Sequence, residues 1–206
     1  MPLEFAGSGL PMTSDGLSAG CDQLQVGAPE VWAVLTVEIL GCGYLPDRRP
    51  QILFERHVFR RETNGAFDAV APDLSNLVAG GYGARGASQY GRLARAIQLN
   101  RQAALRSTSW GIGQVMGLNA VSAGFPDAET MVSAMAKNED QHIAGMFGFL
   151  LKNRLDQSLR SHDWPSFART YNGPNFAENQ YDLRLASAFQ KYSMGLLPDL
   201  TSLCRN

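Results

Sequence analysis

Cysteine is too scarce in this chain to build a covalent framework. Cys21, Cys42 and Cys204 are odd in number and spaced unlike a zinc site, and they read as buried or free thiols. No group of histidine, cysteine and aspartate has metal-ligand spacing, so neither a metal nor any other cofactor is expected. A formal net charge of -1 and a pI of about 6.3 leave no basic patch of the kind that dominates nucleic-acid binding, and nucleic acid is not expected as a partner. No apolar run is long enough to span a bilayer, which argues against stable membrane insertion. The N-terminus, MPLEFAGSGLPMTSDG, has no positive n-region and no apolar run, so it does not read as a signal peptide. The chain is expected to be made and folded in a cytoplasm.

What is present is enough apolar material, 45% of 206 residues, for one sizeable core. Residues 1–13, rich in glycine and proline, read as a flexible arm, and residues 14–206 as a single domain. Helical patterns dominate. Ser14 is placed to cap a helix running to about Val26, and Tyr90 to Ser107 is amphipathic with Leu93, Ala96, Ile97, Ala104 and Leu105 in register, its arginines on a solvated face. Asp127 to Lys137, the almost wholly apolar His142 to Asn153, a segment capped by Asp163, and Asn179 to Met194 complete the helices. Phe67 to Gly91, rich in Gly, Ala, Ser, Pro and Asp, predicts an irregular loop along one side of a cleft. The fold class is mainly α, with one small β element.

That β element belongs to the most informative stretch, APEVWAVLTVEILGCGYLPDRRPQILFERHVFRR, from Ala28 to Arg61. Pro29 suits a first helical turn, and the apolar residues that follow predict a short, largely buried helix with Glu38 near its C-terminus. A carboxylate there faces the negative end of the helix dipole and an apolar wall, and both raise its pKa, as a general acid near neutral pH requires. Gly41 and Gly43 break the helix. Gln51 to His57 then predicts a strand in which Leu53, Glu55 and His57 share one face, so that His57 can orient Glu55. A helix ending in one glutamate, a glycine turn and a strand carrying another can set two carboxylates across one cleft, the arrangement used in glycoside hydrolysis. The ordinary alternative leaves Glu38 solvated and Glu55 paired with Arg56 or Arg60.

Two later tracts bear on the same question. In Ser109-Trp110-Gly111-Ile112-Gly113-Gln114-Val115-Met116-Gly117, two glycines in a helix-like apolar run imply close backbone approach. Tyr171-Asn172-Gly173-Pro174 reads by itself as a turn.

Together, VEILGCGYLPDRRPQILFERHVF, SWGIGQVMG and YNGP resemble the N-acetylmuramidase domain family of phage endolysins, over roughly Asp15 to Tyr192. The second and third tracts are also similar to motifs of goose-type lysozymes and lytic transglycosylases. The chain departs at Ile39, where the family pattern usually has a small polar residue. The resemblance implies a lysozyme-like catalytic domain whose partner is the glycan strand of peptidoglycan, acting as a monomer on the β-1,4 bond between N-acetylmuramic acid and N-acetylglucosamine. Glu38 would protonate the glycosidic oxygen and Glu55 would activate water or stabilise the transition state. His57, Ser109, Gln114, Tyr171 and Asn172 would contact or position substrate, with the tyrosine over the cleft. If Glu55 is dispensable, the second role passes to Asp68 or Asp73. A wall substrate also implies delivery to the periplasm, by a holin lesion or a secretion apparatus. Two other readings stay open: a lytic transglycosylase with one catalytic glutamate, and a non-catalytic wall-binding or virion structural module.

Overall fold

The structure is a computed structural model that describes residues 4–38 and 41–200, so Ile39 and Cys204 lie outside the described residues. Within them the chain is mainly helical around one small antiparallel sheet. Helix α1 (Ser14–Leu24) is capped by Thr13, one residue before the predicted Ser14, whose side chain accepts the Gly16 N–H, and it ends at Gln25 in the left-handed region. Helix α2 (Ala28–Glu38) buries Val31, Trp32, Ala33, Val34, Leu35 and Val37, more than one face, because it is enclosed by neighbours. It packs along α9 (Tyr181–Ser193) and touches α1, which in turn lies on α6 (Glu139–Lys152). Trp32, Trp110, Phe54, Phe59, Phe147 and Phe167 are fully buried in one core. Each such side chain contributes about 1.5–3 kcal/mol by leaving water.

The strand of the central stretch is shorter than its pattern predicts. Strand β1 covers only Ile52–Phe54. Glu55 then becomes the N-cap residue of α3 (Arg56–Glu62): its carbonyl accepts from Val58 and Phe59 at 3.1 and 3.0 Å, and the turn into helix buries both side chains. Leu53, Glu55 and His57 therefore do not share a strand face. β1 pairs with β2 (Thr108–Trp110), and β2 with β3 (Val115–Met116), setting Ser109 between Leu53 and Met116. The tract predicted as helix-like is thus a β-hairpin, with Gly111 at φ 68 turning the chain in a region costly for a side-chain-bearing residue.

Helix α4 (Ser88–Arg106) is broken at Asn100, φ -160 and ψ 104, whose side-chain oxygen accepts the Ala103 N–H and recaps the second segment. Its outward arginines are paired, Arg95 with Asp73, Arg101 with Glu4 and Glu129, and Arg106 with Glu62. The three more exposed of these pairs, those of Arg95 and Arg101, are worth little, typically about 0–1 kcal/mol each. Helices α5 (Ala128–Met135), α7 (Leu155–Arg160) and α8 (Trp164–Asn172) surround α6 and α9. Tyr171 and Asn172, read from sequence as a turn, close α8, and Gly173 at φ 91 ends it. Cys42 is disulfide-bonded, which corrects its reading as a thiol. Cys21 is free, and burial raises its pKa.

The glycine- and proline-rich N-terminal segment has more contacts than its composition suggests. Leu10 bridges to Asn138, and Met12 is buried in the core. Much of this rests on Glu139, 2% exposed at the start of α6, whose two oxygens accept from Gly43 N at 2.7 Å and Met12 N at 3.1 Å. Replacing Glu139 by Ala strands two buried N–H groups, each costing about 1–3 kcal/mol. We expect E139A to lower unfolding stability by about 2–6 kcal/mol and E139Q, which keeps one acceptor, by less. Urea unfolding midpoints check this, and equal midpoints for E139A and wild type would refute it.

Candidate active site

Helix α2 ends on Glu38 at the wall of a cleft of about 270 Å³, lined also by Gln114, Met116, Met146, Phe149 and Tyr171. The helix delivers the carboxyl to the negative end of its dipole. Oε2 of Glu38 accepts from Asn172 Nδ2 at 2.9 Å, whereas Oε1 is buried with no hydrogen-bond partner. Burial raises the carboxyl pKa, opposed by the Asn172 bond and by the charge of Arg184. Tyr171 stacks on Phe167 at 5.6 Å and meets Phe149 edge-on at 6.3 Å. Burial, and then the neighbouring Glu38 charge, hold its phenol protonated well above the ordinary range. Tyr171 thus lines the cleft, while the hydrogen bond to Glu38 comes from Asn172, whose own Oδ1 is buried and unpartnered.

The opposite wall is the β2–β3 hairpin. Ser109 Oγ donates to Gln114 Oε1 at 2.8 Å and lies 3.3 Å from the Leu53 carbonyl, and Gln114 Nε2 donates to the Gly111 carbonyl at 2.8 Å. These two side chains brace the turn that presents Gln114 to the cleft. The turn is held from beneath by His142, fully buried on α6: Nδ1 accepts the Ile112 N–H at 3.1 Å, which leaves the proton on Nε2 to donate to the Met135 carbonyl at 2.6 Å. The imidazole fills the space where a Cβ on Gly111 or on Gly43 would sit, 2.6 and 2.4 Å from Nδ1. The close approach that the tract's glycines imply is therefore to His142 at Gly111 and to Met146 at Gly113. In the sequence His142 stands only at the head of an apolar helical segment.

Glu55 lies in a second polar cluster and is not among the residues lining the Glu38 cleft. His57 Nδ1 stands 3.2 Å from Glu55 Oε2, yet neither atom has an oriented hydrogen bond and both are buried. Arg56 donates to the Val78 carbonyl and Arg60 to Asp68, so neither neutralises Glu55 in the way the ordinary reading supposed. Tyr82, from the Gly80-Gly81-Tyr82-Gly83 part of the irregular loop, faces Glu55. Burial and then the Glu55 charge push its phenol pKa up. The buried Gln89 clamps this loop, donating to the carbonyls of Tyr82 and Ala84 at 2.7 Å each and accepting from Phe54 N. Tyr82 and Gln89 went unread in the sequence, where only the density of glycines marks their loop. The loop aspartates are committed elsewhere, Asp68 to Arg60 and Ser75, Asp73 to Arg95. Among the described residues no group of three or more His, Cys, Asp or Glu is placed to hold a metal ion.

The profile of the N-acetylmuramidase family matches residues 27–193. Among solved structures, the crystal structure of Burkholderia AP3 phage endolysin aligns with a TM-score of 0.85 at 41% sequence identity, covering 91% of this chain and 72% of that one. No curated protein gives a significant match.

The buried His142 makes stability depend on pH. Burial lowers its pKa from 6.5 to about 4, so between those values the unfolded chain takes up a proton that the native state refuses. Its contribution is complete above the upper value and falls towards the lower one by up to about 1.4 kcal/mol per pH unit. His142→Gln, although less stable at neutral pH, should show a shallower acid decline in denaturation. An equal slope in wild type and variant would show that the imidazole stays uncoupled from folding.

Proposed function

Since this chain belongs to the N-acetylmuramidase family, we propose that it hydrolyses the β-1,4 bond between N-acetylmuramic acid and N-acetylglucosamine in peptidoglycan, with Glu38 as the general acid. The observation that carries the reading is the unequal pair of oxygens on Glu38. Oε2 is occupied by the Asn172 amide, so in the protonated carboxyl the hydrogen resides on the unpartnered Oε1. As the glycosidic C–O bond breaks, that proton passes to the leaving oxygen, and the resulting carboxylate is steadied by the Asn172 bond. Water supplies hydroxide to the anomeric carbon. Its proton goes to the Glu55 carboxylate, which His57 flanks. Asn172 helps position the sugar through its amide bond to Glu38, and Gln114 and Tyr171 shape the cleft around it. Ser109 acts through Gln114 and His57 through Glu55.

One observation favours a second reading. Because Glu55 does not line the Glu38 cleft, a lytic transglycosylase, in which the muramic 6-hydroxyl replaces water and one glutamate suffices, fits the same geometry. On either reading the enzyme reaches its substrate in the periplasm through a holin lesion or a secretion apparatus. No helix among the described residues is long and apolar enough to cross a membrane.

Glu38→Gln should fold and lose wall-clearing activity by ~100- to 10,000-fold, as removal of a general acid does. A folded variant clearing wall suspensions at more than about a tenth of the wild-type rate would remove Glu38 from this role and favour a non-catalytic module. Mass analysis of digested peptidoglycan separates the two enzymes. Hydrolysis leaves reducing-end muramic acids that carry the added water, and Glu55→Gln is severely impaired. Predominant 1,6-anhydro-muramic products with an active Glu55→Gln would establish the transglycosylase. Tyr171→Phe should slow turnover less than Glu38→Gln, since it removes one hydroxyl contact worth roughly 1–3 kcal/mol. Unchanged rate and affinity in that variant would make Tyr171 a packing residue.

A further inference from the structure

We propose that Arg184, on α9, is a positioning residue that sets the pH range over which Glu38 holds and releases its proton, by fixing the last turn of α2 and placing a positive charge at its end. The inference rests on Glu38 being the acid. Arg184 Nη2 donates to the carbonyl of Val37 at 3.3 Å, the residue immediately before Glu38. That carbonyl lies in the last turn of α2, where the helix dipole is most negative. The guanidinium lies over the Tyr181 ring, 5.3 Å from its centre, which limits where it can swing. A second tie, between the hydroxyls of Thr36 and Tyr192 at 2.8 Å, keeps α9 in register on α2.

The groups facing the Glu38 carboxyl are few. From α8 come the amide of Asn172, bonded to it, and the protonated phenol of Tyr171; from α9 comes Arg184. Arg184 is therefore the one cation acting on this carboxyl among the described groups. Burial and the dipole both favour the neutral acid, which serves proton donation but penalises the carboxylate that remains afterwards. A cation at the helix end favours that carboxylate and keeps both protonation states accessible. Arg184 is exposed, so its effect is open to screening by salt.

The test follows the Glu38 carboxyl directly by carbon-13 NMR titration, together with the pH profile of wall clearing, in wild type, Arg184→Gln and Arg184→Lys. Gln keeps an N–H for the Val37 carbonyl and removes the charge; Lys keeps the charge. In R184Q the Glu38 midpoint and the alkaline limb of activity should both move up. One pH unit above the wild-type midpoint, the rate relative to plateau should rise at least about twofold, because more of the acid stays protonated. R184K should stay near wild type. Added salt should raise the wild-type midpoint towards that of R184Q and leave R184Q unmoved. An unshifted Glu38 midpoint in folded R184Q, even with lower stability, would overturn the proposal. If R184Q fails to fold, a wild-type midpoint that ignores salt would overturn it instead. A midpoint that moves while the activity limb stays put upholds the coupling and refutes Glu38 as the acid.

Discussion

Two buried side chains one turn apart on α6, Glu139 and His142, hold two backbone turns, one that follows α2 and one in the hairpin that lines the cleft. Glu139 accepts from Gly43 in the turn that follows α2, and His142 accepts from Ile112 in the turn of the hairpin. Met135 closes the arrangement, its carbonyl accepting from His142 and, at 2.6 Å, from the Tyr44 hydroxyl. Polar groups this deep are costly when unpaired, and here their bonds run to backbone N–H and C=O groups that need partners of their own. The imidazole also accounts for glycine at 43 and 111, since it occupies the volume a Cβ would take at either position. The cleft's shape therefore depends on a rigid polar support behind it as much as on the residues that line it.

At Glu38 the forces are opposed. The C-terminal end of α2 and burial in apolar surroundings favour the neutral acid, and a single amide bond and a single guanidinium favour the carboxylate. A general acid needs this balance, because it must hold its proton near neutral pH and still be stable after giving it up. Tyr171 is on the other side of the balance: packed on Phe167 and near Glu38, its phenol stays protonated and adds no charge to the cleft.

The second carboxylate is supported by different means. Glu55 stands where a strand turns into a helix, with His57 and Tyr82 beside it, and the loop that brings Tyr82 there is secured by Gln89 to β1. The link to the Glu38 side runs through the sheet: Leu53 and Gln114 both meet the hydroxyl of Ser109. A shift of β1 against the hairpin would change the separation of the two carboxyl groups, so the small sheet ties one polar cluster to the other.

The wording of the central stretch was sufficient to place Glu38 at a buried helix end, because Pro29, the apolar run to Val37 and the two glycines are local signals of helix start, burial and stop. The main helices and the family resemblance were legible for the same reason. Local pattern misread the length of β1, since the strand it pairs with begins only at Thr108, after Ser107 caps α4, and that limit is set far along the chain. It also read the hairpin as helix, because the glycines of SWGIGQVMG answer to distant neighbours, Gly111 to His142 and Gly113 to Met146. Asn172 as the partner of Glu38, Arg184 at the end of α2 and Tyr82 over Glu55 had no sequence signal beyond residue type. Periodicity and capping act over a few residues and so are written in sequence. Hydrogen bonds and charges between α2, α8 and α9 exist only once the helices pack, and the tertiary structure alone decided which polar atoms meet at the cleft and which are left unpartnered.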